Sequence, residues 1–206
     1  MLLAAALAGV ALLGTWGSIQ WVVKWAIALH REAVAAGAAP TVAVKELTQA
    51  CGATGAIVGT VLAAFLCERV GRRAAYAWLC VASLVSVAWL YLGNARWGTG
   101  FLLAMFLANG ATSSFYGWFP LAFPEWFPTS VRASAQGFAF NFGRVIAAVG
   151  SLQTAALVGF FGAGLPAERI EVEGFPRAAI CLSGVYLVGL AIVWLAPETR
   201  GRPLPP

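Results

Sequence analysis

Long apolar stretches alternate with short polar segments along the whole chain. The stretches 74–93 (AAYAWLCVASLVSVAWLYLG) and 178–195 (AAICLSGVYLVGLAIVWL) contain no charged residue. Each is close to the roughly 20 residues with which an α-helix crosses about 30 Å of hydrocarbon. Neither stretch shows the strict alternation of apolar and polar residues that is typical of a barrel strand. The pattern therefore predicts membrane-spanning α-helices.

Six such stretches predict one all-α transmembrane domain over residues 1–206. The first stretch lacks the basic residues that open a signal peptide and stays apolar to Leu29, so it is predicted to be a span. The motif GAIVG at 55–59 is a GxxxG pattern, which lets two membrane helices approach closely or arises by chance in a glycine-rich chain. The predicted spans are 3–29, 50–67, 74–93, 99–122, 133–161 and 178–196.

The composition agrees with a membrane protein. Apolar residues make up 61% of the 206 residues and charged residues 10%, whereas a soluble domain has about 25% charged residues. The formal net charge is +5, but the basic residues are dispersed among short loops, so nucleic-acid binding is not predicted. The four cysteines lack CxxC spacing and are interpreted as packing residues. No metal site or cofactor is predicted.

Catalytic chemistry is not predicted from the residue types. The chain has one histidine, His30, and no aspartate. It contains neither an HExxH motif, which would hold a zinc ion, nor the nucleophile elbow of a hydrolase. Without a constellation of this kind, the sequence does not indicate a membrane enzyme.

Four charged residues lie close together in CERVGRR, at 67–73. The longer segment AFLCERVGRR resembles the loop signature G-x-x-x-D-R-x-G-R-R of the major facilitator superfamily, in the copy between helices eight and nine of the twelve-helix fold. Ala64 stands where the signature begins with glycine, and glutamate replaces aspartate. The acidic, basic, turn and closing positions of the signature are occupied by Glu68, Arg69, Gly71, Arg72 and Arg73.

Two further motifs extend the resemblance towards the C-terminus. PEWFPTSVR at 124–132 resembles the P-E-x-x-P-x-x-x-R segment before helix eleven of the superfamily. PETRG at 197–201 is similar to the P-E-T-K-G that ends sugar-porter-like members. Together the motifs make the chain similar to the C-terminal six-helix half of such a transporter, near the sugar-porter and sialate or organic-acid proton-symporter branches. The first span would then be helix seven of the fold.

The resemblance implies secondary active transport of a small polar solute, an organic acid or a sugar, by alternating access and with proton coupling. It implies a multi-pass protein in the lipid bilayer of the bacterial inner membrane. A complete member binds its substrate between two six-helix halves, so the resemblance also implies a missing N-terminal half or self-association. The alternative left open is a truncated or non-transporting integral membrane subunit.

The sidedness of the domain follows from the resemblance more than from charge. Six crossings place loops 68–73 and 123–132 and the tail 197–206 on one side of the membrane. Six lysine and arginine residues lie in these segments and five in the opposite loops, which is a small difference under the positive-inside rule. The resemblance assigns the side with loop 68–73 to the cytoplasm.

Residues of these segments are predicted to form a cytoplasmic gate. By analogy with the family, arginine–glutamate contacts would hold the inside closed while the cavity faces out. One exposed ion pair is worth about 0–1 kcal/mol, but several shielded bidentate pairs can bias a two-state equilibrium by a few kcal/mol. The alternative is that the arginines only set the topology. The predicted gate residues are Glu68, Arg69, Gly71, Arg72, Arg73, Glu125, Arg132, Glu198 and Arg200.

Polar stripes on three predicted spans are candidates for substrate binding. In each stripe the residues recur at intervals of three or four, so they share one helix face. In the family, helices seven, eight, ten and eleven line the cavity, and these stripes fall on the counterparts of helices seven, ten and eleven. The candidates are Trp16, Gln20 and Lys24 on the first span, Asn109, Ser113 and Tyr116 on the fourth, and Asn141 and Arg144 on the fifth.

Two cations within the predicted spans suggest an anionic solute. A charged side chain inside the membrane is costly and therefore usually marks a functional site. Lys24 or Arg144 would meet a carboxylate of the substrate. The alternatives are that Lys24 extends to the outer interface and that Arg144 pairs with Glu125 or with helix-end carbonyls. All eight acids are glutamates in loops or at span borders, so a proton-coupling acid is expected in the absent half.

Overall fold

The computed structural model describes residues 1–166 and 169–206, which form helices joined by turns and short loops. Residues 167 and 168 belong to the predicted domain but to none of its predicted spans, and they lie outside the described residues. The α-helices are α1 Leu2–Ile19, α2 Val22–Ala35, α3 Val44–Val70, α4 Arg72–Leu92, α5 Thr99–Ser113, α6 Phe115–Ala122, α7 Arg132–Phe161, α8 Phe175–Ser183 and α9 Val185–Ile192. The shorter elements are the π-helical turn Ile170–Gly174 and the 3-10 turns Pro124–Trp126 and Val193–Leu195.

Five helical runs in the described part of the chain are long and apolar enough to cross a membrane. α5 and α6 are each shorter than a span, but Ser114 between them keeps helical backbone angles, with φ −58° and ψ −27°. The two helices therefore continue one another across the predicted span 99–122. The five long runs are Leu2–Ala35, Val44–Val70, Arg72–Leu92, Arg132–Phe161 and Ile170–Leu195.

A sharp turn at Gly71 separates α3 from α4. The Gly71 N–H donates to the Cys67 carbonyl at 3.1 Å, and its φ of +90° lies in the region that side-chain-bearing residues rarely adopt. A Cβ at this position would lie 2.9 Å from Oε2 of Glu198. Glycine is therefore required both by the backbone conformation and by the carboxylate packed against it.

Aromatic side chains fill the interior next to this turn. The Tyr76 ring lies 4.9 Å from the rings of both Phe115 and Trp118. The Tyr76 hydroxyl donates to the Leu7 carbonyl at 2.8 Å, and the Trp118 indole N–H donates to the Arg72 carbonyl at 2.7 Å. These contacts join α1, α4 and α6, so the start of α4 is packed against two other helices.

Two helix pairs approach closely because glycines remove the side chains between them. On α3, a Cβ on Gly55 would lie 2.1 Å from the Phe106 carbonyl oxygen, and a Cβ on Gly59 would lie 2.1 Å from that of Gly110. On α7, a Cβ on Gly143 would lie 2.7 Å from that of Ala8 on α1. Close backbone approach of this kind is how membrane helices gain packing contacts.

Candidate functional site

A cluster of charged residues joins four segments at the end of the bundle where α3 meets α4. We call Glu68, Arg72, Glu125, Glu198 and Thr199 the Arg72 cluster. Arg72 is only 5% exposed. Its Nε donates to Oε2 of Glu125 at 2.9 Å and its Nη2 donates to Oε1 at 2.6 Å. This bidentate pairing matches the planar guanidinium to the planar carboxylate and is among the stronger protein hydrogen bonds.

Two more N–H groups of the Arg72 guanidinium are occupied, which makes four of its five. Nη2 donates to Oε1 of Glu68 at 2.9 Å, and Nη1 donates to the Cys67 carbonyl at 3.2 Å. Oε2 of Glu125 accepts a further hydrogen bond from the Thr199 hydroxyl. A buried charge is tolerated when it is paired and its hydrogen-bonding groups have partners, and two carboxylates and a carbonyl provide these for Arg72.

Glu198 holds the start of α4 from the other side of the cluster. Its Oε1 accepts from the Arg72 backbone N–H at 3.0 Å and its Oε2 from the Arg73 N–H at 3.1 Å. Both groups belong to the helix N-terminus, which favours a negative charge. Partial burial raises the pKa of Glu198, but four backbone donors outweigh burial and hold the pKa below its usual value. The carboxylate therefore stays ionised near neutral pH.

The side chains of the other predicted gate arginines lie outside these contacts, although the backbone N–H groups of Arg73 and Arg200 donate to Glu198. Arg73 donates through Nε to the Ala196 carbonyl. Arg132 donates through Nε to the Phe127 carbonyl at 3.2 Å and through Nη2 to the Pro205 carbonyl at 2.8 Å, so it joins the tail to the start of α7. Arg69 and Arg200 are exposed, and neither takes part in an ion pair in the ranges 1–166 and 169–206.

Two of the predicted substrate-binding residues meet across an aromatic ring. The Cζ of Arg144 lies 5.2 Å from the centre of the Phe140 ring, and the Tyr116 ring lies 6.4 Å from it. Arg144 is twelve positions along the continuous helix α7 from Arg132, which is about 18 Å at 1.5 Å per residue. Beside these rings is a groove of about 380 Å³. It is lined by Tyr116, Phe119, Pro120, Phe123, Gln136, Gly137 and Phe140.

The candidates on the first span lie on an exposed face at the end of α1. Trp16 and Gln20 are exposed and line a recess together with Thr15 and Ile19. The Thr15 hydroxyl donates to the Thr112 carbonyl at 2.8 Å, which joins α1 to α5.

Lys24 follows on α2, where its Nζ lies 4.6 Å from the centre of the Trp21 ring. Lys24 and Arg144 are both exposed. No carboxylate lies within 4 Å of either cation in the described part of the chain, and Glu125 pairs with Arg72 instead. The suggested pairing of Arg144 with Glu125 is therefore absent from this structure.

The other polar candidates make local or interhelical contacts. The Ser113 hydroxyl donates to Oδ1 of Asn109 at 3.4 Å, and the Ser113 carbonyl accepts from Thr60 on α3 at 3.2 Å. Asn141 is exposed and donates to the Gly137 carbonyl of its own helix at 2.8 Å. The structure does not bring Asn109 and Ser113 into contact with Arg144 or Lys24.

Two residues at these sites were not identified from the sequence. Thr199 stands in the PETRG motif, but its hydroxyl contact to Glu125 depends on how the tail folds. Phe140 is one of three alternating phenylalanines in FAFNF, 138–142, and only the packing of α6 on α7 singles it out. The only sequence signals for these two residues were therefore the position of Thr199 in the PETRG motif and the repeat of phenylalanines around Phe140.

Comparisons with known proteins agree on one family. Residues 36–205 match the family described as "Sugar (and other) transporter". The cis,cis-muconate transport protein of Acinetobacter baylyi is 31% identical over 112 residues, which are 54% of this chain and 25% of that protein. A putative metabolite transport protein of Haemophilus influenzae is 27% identical over 143 residues, 68% of this chain and 31% of that protein.

Solved structures give the same result for the fold. The proton:xylose symporter XylE of the major facilitator superfamily, bound to 6-bromo-6-deoxy-D-glucose, superposes with a TM-score of 0.73 at 17% identity, over 95% of this chain and 44% of that one. The inward-open xylose transporter XylE from E. coli gives a TM-score of 0.69 at 20% identity, over 95% and 47%. The chain spans less than half the length of each of these structures, and at this identity the likeness concerns the fold alone.

Proposed function

Because this chain belongs to the sugar (and other) transporter family, we propose that it forms one half of a transporter for a small polar solute. The chain is an integral, multi-pass membrane protein with the fold of a six-helix half of the major facilitator superfamily, which confirms the resemblance and the fold class. The family is one of transporters rather than enzymes. The observation that carries the proposal is the family match over 36–205. The solute would cross between this half and a second one, supplied by a missing N-terminal half or by self-association.

We propose alternating access as the mechanism, with the Arg72 cluster as part of the cytoplasmic gate. The cluster ties the α3–α4 turn, the turn before α7 and the tail after α9 into one unit. Charge-assisted hydrogen bonds to a buried arginine favour the state in which they are all formed. Opening of the cavity towards the cytoplasm would require these segments to separate.

A buried cysteine provides a test of this gate. Cys67 is 0% exposed and its carbonyl accepts from Arg72, whereas Cys80 of α4 is equally buried in the same core but takes no part in the hydrogen bonds of the Arg72 cluster. In a Cys51→Ser, Cys181→Ser background, Glu125→Gln is expected to raise the rate at which a maleimide labels Cys67 by about tenfold. The reason is that loss of one charged hydrogen bond costs about 1.5 kcal/mol or more.

The labelling of Cys80 should stay unchanged in the same sample. Glu46→Gln, at an exposed glutamate on α3 outside the cluster, serves as the matched control and should leave Cys67 protected. Two results would contradict the role of the cluster as a gate. One is that maleimide labels Cys67 equally slowly in the Glu125→Gln and Glu46→Gln variants, and the other is that Glu125→Gln raises the labelling rates of Cys80 and Cys67 by the same factor.

We propose an organic acid as the solute. Arg144 and Lys24 are exposed cations, and the described residues place no carboxylate within 4 Å of either. A carboxylate of the solute is the natural partner for such a group, and the 31% identical relative is named for the transport of muconate, a carboxylate. Proton coupling, as in the symporter of similar fold, would use an acid of the other half, since the glutamates of this chain lie in loops or at span borders.

Transport kinetics distinguish an acidic solute from a neutral sugar. In the complete transporter, Arg144→Gln is expected to raise the KM for an organic acid by about tenfold, because a hydrogen bond to a charged group is worth about 1.5–3 kcal/mol. The KM for any neutral sugar that is carried should not change. Uptake is measured over a panel of sugars and organic acids for Arg144→Gln and Lys24→Gln, with Lys45→Gln as the control. Unchanged uptake of acids in both variants would contradict the assignment.

A further inference from the structure

A long groove runs between α3 and α5 on a face that the proposed transport pathway does not use. Its volume is about 460 Å³. The walls are apolar side chains such as Leu62, Phe65 and Leu107, and Leu79 of α4 contributes to the lining. Gly59 and Gly110 also line it, so the absence of side chains at the close helix contact gives the groove its depth.

The groove faces away from Asn109 of α5 and Tyr116 of α6, two of the predicted substrate-binding residues on this continuous pair of helices. At 100° per residue, Leu107, Ala111 and Ser114 lie on one side of the helix, and Asn109 and Tyr116 lie on the opposite side. The predicted pathway is on the side of Asn109 and Tyr116. This part of the groove is therefore directed away from the proposed pathway, and in the complete transporter it would face the surrounding bilayer.

One charged residue stands at the end of this apolar groove. Arg69 is exposed in the last turn of α3 and contributes to the groove lining. Arg72, on the other side of the Gly71 turn, pairs with Glu68 and Glu125, but Arg69 has no ion-pair partner in the portion of the chain that the structure describes. Basic residues at the cytoplasmic membrane surface attract anionic lipid headgroups.

We propose that this groove binds an anionic phospholipid, with one acyl chain between α3 and α5 and the phosphate at Arg69. The apolar walls would pack against an acyl chain. The arginine at the end of the groove would pair with the negative charge of the headgroup. The proposal rests on membrane insertion of the chain and is independent of which solute is transported.

Native mass spectrometry of the purified full-length protein tests the proposal. Phosphatidylglycerol is expected to stay bound more tightly than phosphatidylcholine. Arg69→Gln is expected to weaken phosphatidylglycerol binding by about fivefold, which is the effect of one basic residue near a membrane surface. Arg202→Gln, at an exposed arginine of the tail, is the matched control and should bind like the unaltered protein. Equal binding by the two variants, or equal binding of the two lipids, would overturn the proposal.

A second measurement locates the acyl chain. Phosphatidylglycerol with a photoreactive group in its acyl chain is expected to label segments 55–66 and 106–111, and Ala111→Phe, which places a ring in the groove, should abolish that labelling. The folding of this variant is checked by its elution volume and tryptophan fluorescence. Labelling confined to other helices, labelling that persists in the folded Ala111→Phe protein, or cross-links from the groove to a polypeptide in place of lipid would overturn the assignment.

Discussion

Replacing Arg72 with methionine is expected to lower the free energy of unfolding by about 3 kcal/mol and to abolish transport. The side chain of Arg72 is 6% exposed, and that of its bidentate partner Glu125 is 15% exposed. Removal of one partner of a buried ion pair leaves the other charge without compensation, which typically costs about 3–5 kcal/mol. The change also detaches the turn before α7 from the start of α4. Unfolding of the purified protein by a denaturing detergent and uptake by the complete transporter measure the two effects.

Two further variants distinguish the loss of the buried Arg72–Glu125 pair from the loss of any positive charge at this end of the bundle. Arg200→Met removes an exposed arginine near the cluster and should change the free energy of unfolding by less than about 0.5 kcal/mol. In the double variant Arg72→Met, Glu125→Gln, the uncompensated charge is gone, so the loss should be smaller than the sum of the two single losses. Strict additivity, or a similar loss for Arg200→Met, would contradict the role assigned to Arg72.

Replacing Gly59 with alanine is expected to destabilise the protein by about 2 kcal/mol, with a larger loss for Gly59→Leu. The added Cβ would lie 2.1 Å from the Gly110 carbonyl oxygen, a backbone atom that cannot move aside without shifting α5. Overpacking of a close contact typically costs about 1–3 kcal/mol. The alanine also favours the helix intrinsically, so a net loss identifies the interhelical contact as its cause. Denaturing-detergent titration measures the change.

Gly137 on α7 offers the matched control for this substitution. It is also inside a helix, but no atom lies within 4 Å of a Cβ added there. Gly137→Ala should therefore be neutral or stabilise the protein by up to about 1 kcal/mol through helix propensity. If Gly59→Ala were stabilising to the same extent as Gly137→Ala, α3 and α5 would not pack as closely as the structure has them.

Most of the fold could be predicted because its main determinants are local. A run of about 20 apolar residues is enough to define a membrane helix, and each predicted span lies mostly within a helical run. The division of 99–122 into α5 and α6 at Ser114 was not visible in the sequence, because the apolar pattern continues through it. The helices also extend past the predicted span ends, as α3 does from Val44 to Val70, since helical hydrogen bonding continues into the polar flanks.

The candidate site could be predicted only as a set of residue types. The motifs indicated that Arg72, Arg73, Glu125 and Glu198 belong together, but not which arginine would be buried. Arg132 ends the PEWFPTSVR motif that contains Glu125, and yet its side chain donates to the carbonyls of Phe127 and Pro205. On α5, the spacing of Asn109 and Ser113 indicated a shared face, but a helical period does not say which neighbour that face meets. The gating and substrate-binding roles stay predictions.

The sequence by itself determined the membrane environment, the helical class and the family, because composition, apolar length and short motifs are properties of contiguous residues. Only the tertiary structure decided which side chains meet: the pairing of Arg72 with Glu125, the capping of α4 by Glu198, and the position of Arg144 beside Phe140 and Tyr116. These contacts join residues as far as 126 positions apart. Their geometry depends on how the helices pack, and the close approach at Gly55 and Gly59 is one of the contacts that determine it.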